Sequence, residues 1–133
     1  KQKLALDFED IKRLLVNPIE REFKKRFTAK VGQHLKIINA DEVECFYSEN
    51  KGTYAATNDG RNYLLETTLE SLELDLDPKL FFRVSRKFYV NVNFIKDIVS
   101  YTNSRLQIKL VKFNDQDIIV SRERVRDFKL WLE

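Results

Sequence analysis

The stretch Leu80-Phe81-Phe82-Arg83-Val84-Ser85-Arg86-Lys87-Phe88-Tyr89-Val90-Asn91-Val92-Asn93-Phe94-Ile95-Lys96-Asp97-Ile98 constrains the fold more than any other part of the chain. Within it Phe82, Val84, Phe88, Val90, Val92 and Phe94 share one parity. A period of two puts alternate side chains on one face, so the segment is expected to be extended with one face in a core. Arg86 falls on the same parity. A guanidinium does not occupy a core position unpaired, so the chain is expected to bend or bulge at Ser85-Arg86-Lys87 and turn those side chains outward. This alone leaves two outcomes open: a cationic tip held by apolar strands, or an ordinary solvated hairpin.

The 133 residues, 43% hydrophobic and 34% charged, suit one globular domain with or without an N-terminal appendage. No apolar run approaches the roughly 18 residues that cross a bilayer, and no signal-peptide pattern is present, so no membrane association is expected. Cys45 is the single cysteine, which rules out an intrachain disulfide and fits a reducing cytoplasm. The chain has no Met and opens Lys1-Gln2-Lys3, so it reads as a piece of a longer protein. Net charge is +3 overall, but residues 1–27 carry +3, residues 28–82 carry −5 and residues 83–133 carry +5. A basic C-terminal portion favours a polyanionic partner without naming one.

Phe8, Ile11 and Leu15 follow Asp7 at helical spacing, and Asn17-Pro18 interrupts them, so residues 1–27 read as a helical linker or appendage. From residue 28 the pattern turns to strands, expected over 28–31, 34–39, 43–48, 53–57, 62–65, 96–101, 105–111 and 118–120. Leu65, Leu69, Leu72 and Leu76 suggest a helix, with Thr67 and Glu70 spaced as a capping box and Asp77-Pro78 as its end. Ser121 is expected to cap a last helix that turns Val125, Phe128, Trp131 and Leu132 inward. The fold class is therefore mainly β with short helices.

Enzymatic constellations are missing. The three glycines, at 32, 52 and 60, form no phosphate loop, and one His and one Cys build no metal cluster. His34 and Cys45 read as structural, and the carboxylates as solvated. No catalysis and no cofactor are expected. Three places fit nucleic acid instead. The first is Ser85-Arg86-Lys87. The second is the hairpin tip Glu49-Asn50-Lys51-Gly52-Thr53, where Lys51 suits a phosphate and Asn50 or Thr53 a base edge. The third is Ser121-Arg122-Glu123-Arg124-Val125-Arg126, whose arginines oppose the positive end of a helix dipole unless they meet an anion.

Phe81-Phe82-Arg83-Val84-Ser85-Arg86-Lys87-Phe88-Tyr89-Val90-Asn91 resembles the central motif of the LytTR family, the DNA-binding output domains of many bacterial response regulators. Val31-Gly32, Phe46-Tyr47-Ser48-Glu49, Leu69-x-x-Leu72-Glu73 and Val120-Ser121-Arg122-Glu123-Arg124-Val125 fit in the family's order, over residues 28 to 132. The resemblance implies an antiparallel β fold of about ten strands over 28–133, which places two loops in successive major grooves. It implies base contacts at Thr53, Arg86 and Arg124. Thr53 stands where the family often has His or Arg, and Ser85 where many members have His. Lys51, Lys87 and Arg122 are expected on phosphates. It further implies a cytoplasmic transcriptional regulator in a two-component system, with a receiver domain preceding this one and a homodimer on a direct-repeat duplex site. The alternatives are a protein-interaction module for an acidic partner and an RNA binder.

Overall fold

The computed structural model describes residues 22–133. The expected helix over residues 7–16 lies outside them. Ten strands alternate with short turns: β1 (Arg26–Val31), β2 (His34–Asn39), β3 (Val43–Glu49), β4 (Gly52–Thr57), β5 (Asn62–Leu65), β6 (Phe81–Arg83), β7 (Phe88–Asn91), β8 (Ile95–Tyr101), β9 (Arg105–Leu110) and β10 (Ile118–Val120). Two α-helices, α1 (Leu72–Asp75) and α2 (Val125–Leu132), and three short 3-10 turns complete the described residues. A seven-stranded sheet runs in the order β2-β1-β5-β4-β3-β7-β6, and a three-stranded sheet in the order β10-β9-β8. Every pairing is antiparallel. Among the described residues, no helix is long and apolar enough to cross a membrane.

Alternation along the central strands fills two cores, one on each face of the large sheet. On one face Phe27, Val43, Phe46, Leu65, Phe81 and Tyr89 pack with Leu69, Leu72 and Leu76 from the segment around α1. On the other, Cys45, Tyr47, Val84, Phe88 and Val90 meet Ile108, Leu110, Ile118 and Val120 of the small sheet and Phe128 of α2. Phe82 joins α2 by ring contacts to Phe128 and Trp131 at 5.7 and 5.2 Å.

Two buried polar side chains tie these layers. The β3 register shifts between Val43 and Cys45, which turns Val43 to the same core as Phe46. Glu44, at that bulge, is fully buried, and its carboxylate accepts from the backbone N–H groups of Lys112 and Phe113 at 2.9 to 3.1 Å. It thus clamps the segment after β9 onto the large sheet, against the expectation that the carboxylates are solvated. Asn91 donates Nδ2 to the Val43 carbonyl at 2.9 Å and accepts from the Asn93 N–H at 2.9 Å. That second bond turns Val92–Phe94 into a 3-10 helix, so the extended segment expected to run through Phe94 ends at Asn91.

Other expectations need correction. Leu65 ends β5, opposite Ala29 and Thr53, and the helix drawn from it shrinks to Leu72–Asp75. Thr68, not Thr67, holds the turn ahead of it by accepting from the Ser71 N–H at 3.1 Å. Ser121 makes no side-chain cap. Leu132 is exposed. β1 begins at Arg26, two residues ahead of the expected strand start, and the Lys24 N–H donates to the Asp75 carbonyl at 2.8 Å.

Candidate nucleic-acid interface

Antiparallel register decides which loops become neighbours. Tyr47 pairs with Phe88, and the Ser48 N–H donates to the Lys87 carbonyl at 3.1 Å. The tip joining β3 to β4 therefore lies beside the tip joining β6 to β7. Val120 pairs with Leu106, which carries Ser121 and the turn before Arg105 to the same end. The Ser121 N–H then donates to the Val84 carbonyl at 3.0 Å. Four connections from distant parts of the chain meet at one end of the two sheets.

The β6–β7 tip is Ser85-Arg86-Lys87, closed by the Val84 N–H on the Phe88 carbonyl at 3.0 Å. All three of its carbonyls are taken by the scaffold. Arg83 donates Nε to Ser85 at 3.2 Å and Nη2 to Arg86 at 2.7 Å, and Ser48 takes Lys87. The Ser85 hydroxyl accepts from the Lys87 N–H at 3.2 Å, so it serves the turn itself. With its backbone bound inward, the tip leaves Arg86 and Lys87 exposed. Lys87 lies near the Phe88 ring at 6.0 Å, and the Arg86 guanidinium has no hydrogen-bond or ion-pair partner among the described residues.

Arg122 and Arg124 occupy a 3-10 turn (Arg122–Arg124) ahead of α2, and only Arg126 of the three arginines stands in α2 itself. The dipole argument from sequence therefore applies to Arg124, which stands at the N-terminus of α2, and to Arg126 in its first turn, and least to Arg122. Arg124 donates Nη1 to the Arg83 carbonyl at 3.1 Å, and the rest of its exposed guanidinium is free to pair. Arg86 and Arg124 are thus both one contact away from Arg83, on the same end of the molecule. Between the tip and the 3-10 turn runs an open groove of about 800 Å³, whose lining includes Lys87, Asn103, Arg105 and Arg122 together with the acidic Asp117 and Glu123.

The β3–β4 tip is a two-residue turn. Glu49 pairs with Gly52, and Asn50 and Lys51 both adopt left-handed backbone, at φ 49° and 67°. Both side chains are exposed. Thr53 is a correction. It lies past the turn, within β4 opposite Ser48 and Leu65, and only 4% exposed, so its hydroxyl is not presented at the tip.

The family model of the LytTr DNA-binding domain matches residues 33–133 of this chain. The chain belongs to the LytTR family. A solved LytTr DNA-binding domain, from a putative methyl-accepting/DNA response regulator of Bacillus cereus, superposes with a TM-score of 0.73 at 26% identity, covering 82% of this chain and 97% of that one. The transcriptional regulatory protein YpdB of an Escherichia coli O6:H1 strain is 26% identical over 130 residues, which is 96% of this chain and 52% of the relative. The sensory transduction protein LytT of Bacillus subtilis is 30% identical over 106 residues, 74% of this chain and 43% of the relative. The chain thus spans about half the length of these relatives or less.

In this LytTR domain, sequence reasoning missed two basic residues. Arg83 looked like one more charge because its partners are mostly backbone carbonyls, which no sequence pattern displays. Arg105 reaches the groove beside Lys87 and Arg122, its fork held by the Thr102 carbonyl and hydroxyl at 3.0 Å each and its plane 5.0 Å from the Tyr101 ring. The only signal for it was its place after the polar turn Thr102-Asn103-Ser104, where Asn103 and Ser104 also have positive φ. Cys45 is fully buried, and burial, then nearby Glu44, pushes its thiol well above the ordinary range. Tyr47, beneath the tips, is pushed up to about 12, by burial first and then by Glu49 and Asp115.

Proposed function

We propose that this domain reads duplex DNA with the end of the molecule where the four connections meet, as the output module of a bacterial transcriptional regulator. The observation that carries the reading is the shared placement of Arg86 and Arg124. Two exposed arginines from segments some 40 residues apart are joined through one residue, Arg83, which binds the Arg86 carbonyl and accepts from the Arg124 guanidinium, and both side chains keep donors unpaired among the described residues. A guanidinium fork matches guanine O6 and N7, and each such pair contributes roughly 1–3 kcal/mol of discrimination. Arg86 and Arg124 are assigned that role. Lys51, Lys87, Arg122 and Arg105 surround them as phosphate contacts, which set affinity and its salt dependence rather than sequence. Asn50, exposed beside Lys51, is placed to reach a groove edge. Ser85 supports its turn and Thr53 is buried within β4, so neither is assigned a base.

The reading extends to the longer protein. A receiver domain N-terminal to this domain in the full-length protein, a homodimer on two direct repeats and a cytoplasmic location all fit a response regulator, and the family membership supports them. Selection of sites from a random duplex pool, followed by mobility-shift titration with scrambled competitor, tests the proposal. Enrichment of one motif with competitor-resistant binding is expected. Equal retention of every duplex, or none at about 50 mM salt, where phosphate contacts are strong, would favour an acidic protein partner instead.

A further inference from the structure

We propose that Arg83 is a positioning residue for DNA recognition, with Glu70 as its anchor. Arg83 shapes the tip that carries Arg86 and, through its own carbonyl, holds the guanidinium of Arg124. This inference rests on the reading of that end as the DNA-reading surface.

Arg83 is itself poorly placed to be a contact. Its side chain is 17% exposed and lies over the Tyr89 ring at 5.6 Å. Its Nε and Nη2 donors are engaged within the domain, by the Ser85 carbonyl at 3.2 Å, the Arg86 carbonyl at 2.7 Å and the exposed Glu70 carboxylate at 3.3 Å. A planar fork with fixed donor directions can hold two carbonyls and a carboxylate at once, whereas an ammonium on a flexible stem cannot fix the same geometry. Glu70 comes from the loop ahead of α1, so a residue remote in sequence steadies the tip.

This arrangement makes a prediction whose sign separates it from bulk electrostatics. Removing the Glu70 carboxylate raises net charge, which alone would tighten binding to any duplex. A positioning role demands weaker binding to the selected site. The experiment uses the 133-residue chain as wild type, Arg83→Lys and Glu70→Gln, with thermal melts as the folding control. Affinity is measured for the selected and a scrambled duplex across salt, and amide exchange is followed at Ser85–Lys87 without DNA.

Arg83→Lys is expected to weaken the selected duplex about tenfold, within the worth of one bidentate base contact. Scrambled-duplex affinity and salt slope should stay unchanged, and the Lys87 amide should exchange faster. Glu70→Gln is expected to weaken the selected duplex about two- to threefold, as suits an exposed ion pair. Glu70→Gln also decides the matter if Arg83→Lys does not fold. Wild-type-like affinity with unchanged exchange in Arg83→Lys, or tighter binding to both duplexes in Glu70→Gln, would overturn the proposal. Should wild type prefer no duplex at all, the DNA reading fails and the recognition role with it, while the exchange data still report whether Arg83 orders the tip.

Discussion

Two hairpin tips lie side by side at one end of this domain, and their backbones are held by different means. The β6–β7 tip has each carbonyl bound by a donor from elsewhere, Arg83 twice and Ser48 once. The β3–β4 tip has its two turn residues, Asn50 and Lys51, in left-handed backbone with no donor from elsewhere on their carbonyls among the described residues, and an outside side chain reaches it only at the flank, where Gln116 donates Nε2 to the Glu49 carboxylate at 2.8 Å. Held from outside, a tip can aim a side chain at one donor and acceptor pattern. A tip whose outermost residues are held only by their turn suits a phosphate, for which direction matters little. On the proposed DNA reading, specificity falls to Arg86 and plain affinity to Lys51, although both are exposed cations a few residues beyond paired strands.

The largest test of that difference is Arg86→Ala. Affinity for the selected duplex should fall about 10- to 100-fold, the worth of a bidentate guanine contact, with little change for scrambled duplex. Lys51→Gly should act in the other manner. Binding to all duplexes weakens by a few fold and the salt slope drops by about one. The variant should meanwhile melt no lower than wild type, because relieving positive φ, worth roughly 1 kcal/mol, offsets the extra freedom of the unfolded chain. Equal loss of specificity from both variants would erase the distinction between the tips.

Acid should separate them more gently. Glu70 ionises below the ordinary carboxylate range, because its own backbone N–H and then Arg83 favour the charged form. A carboxyl with a depressed folded pKa contributes fully above its unfolded value, near 4.3, and loses that contribution as pH falls through the folded one. The Arg83 Nε–H and Arg86 amide resonances should therefore shift with Glu70 protonation below about pH 4. Those of Asn50 and Lys51 should not follow that titration. The smallest expected effect is at Cys45. Buried and held protonated, it should resist thiol reagents until the domain unfolds.

The sequence displayed the strands well because half-buried strands write their parity into alternate residues. Arg86, off pattern among Phe82, Val84, Phe88 and Val90, disclosed the tip for the same reason. What it hid were interactions with backbone. Arg83 and Glu44 bind carbonyls and N–H groups, which every residue supplies, so neither partner is legible from composition or spacing. Motif spacing put Thr53 on a tip, but a two-residue turn ends at Lys51 and leaves Thr53 inside the strand. Leucines at helical spacing misled at Leu65, since strand pairing with Ala29 and Thr53 claimed it first.

The central claim is that Arg86 and Arg124 each read a base on one face of one duplex. The direct measurement is the affinity of wild type, Arg86→Ala and Arg124→Ala for the selected site and for every single-base-pair variant of it. Each substitution should abolish discrimination at one position, a different one for each arginine, and leave the others intact. A uniform loss across all variants, or loss at no position, would contradict the claim.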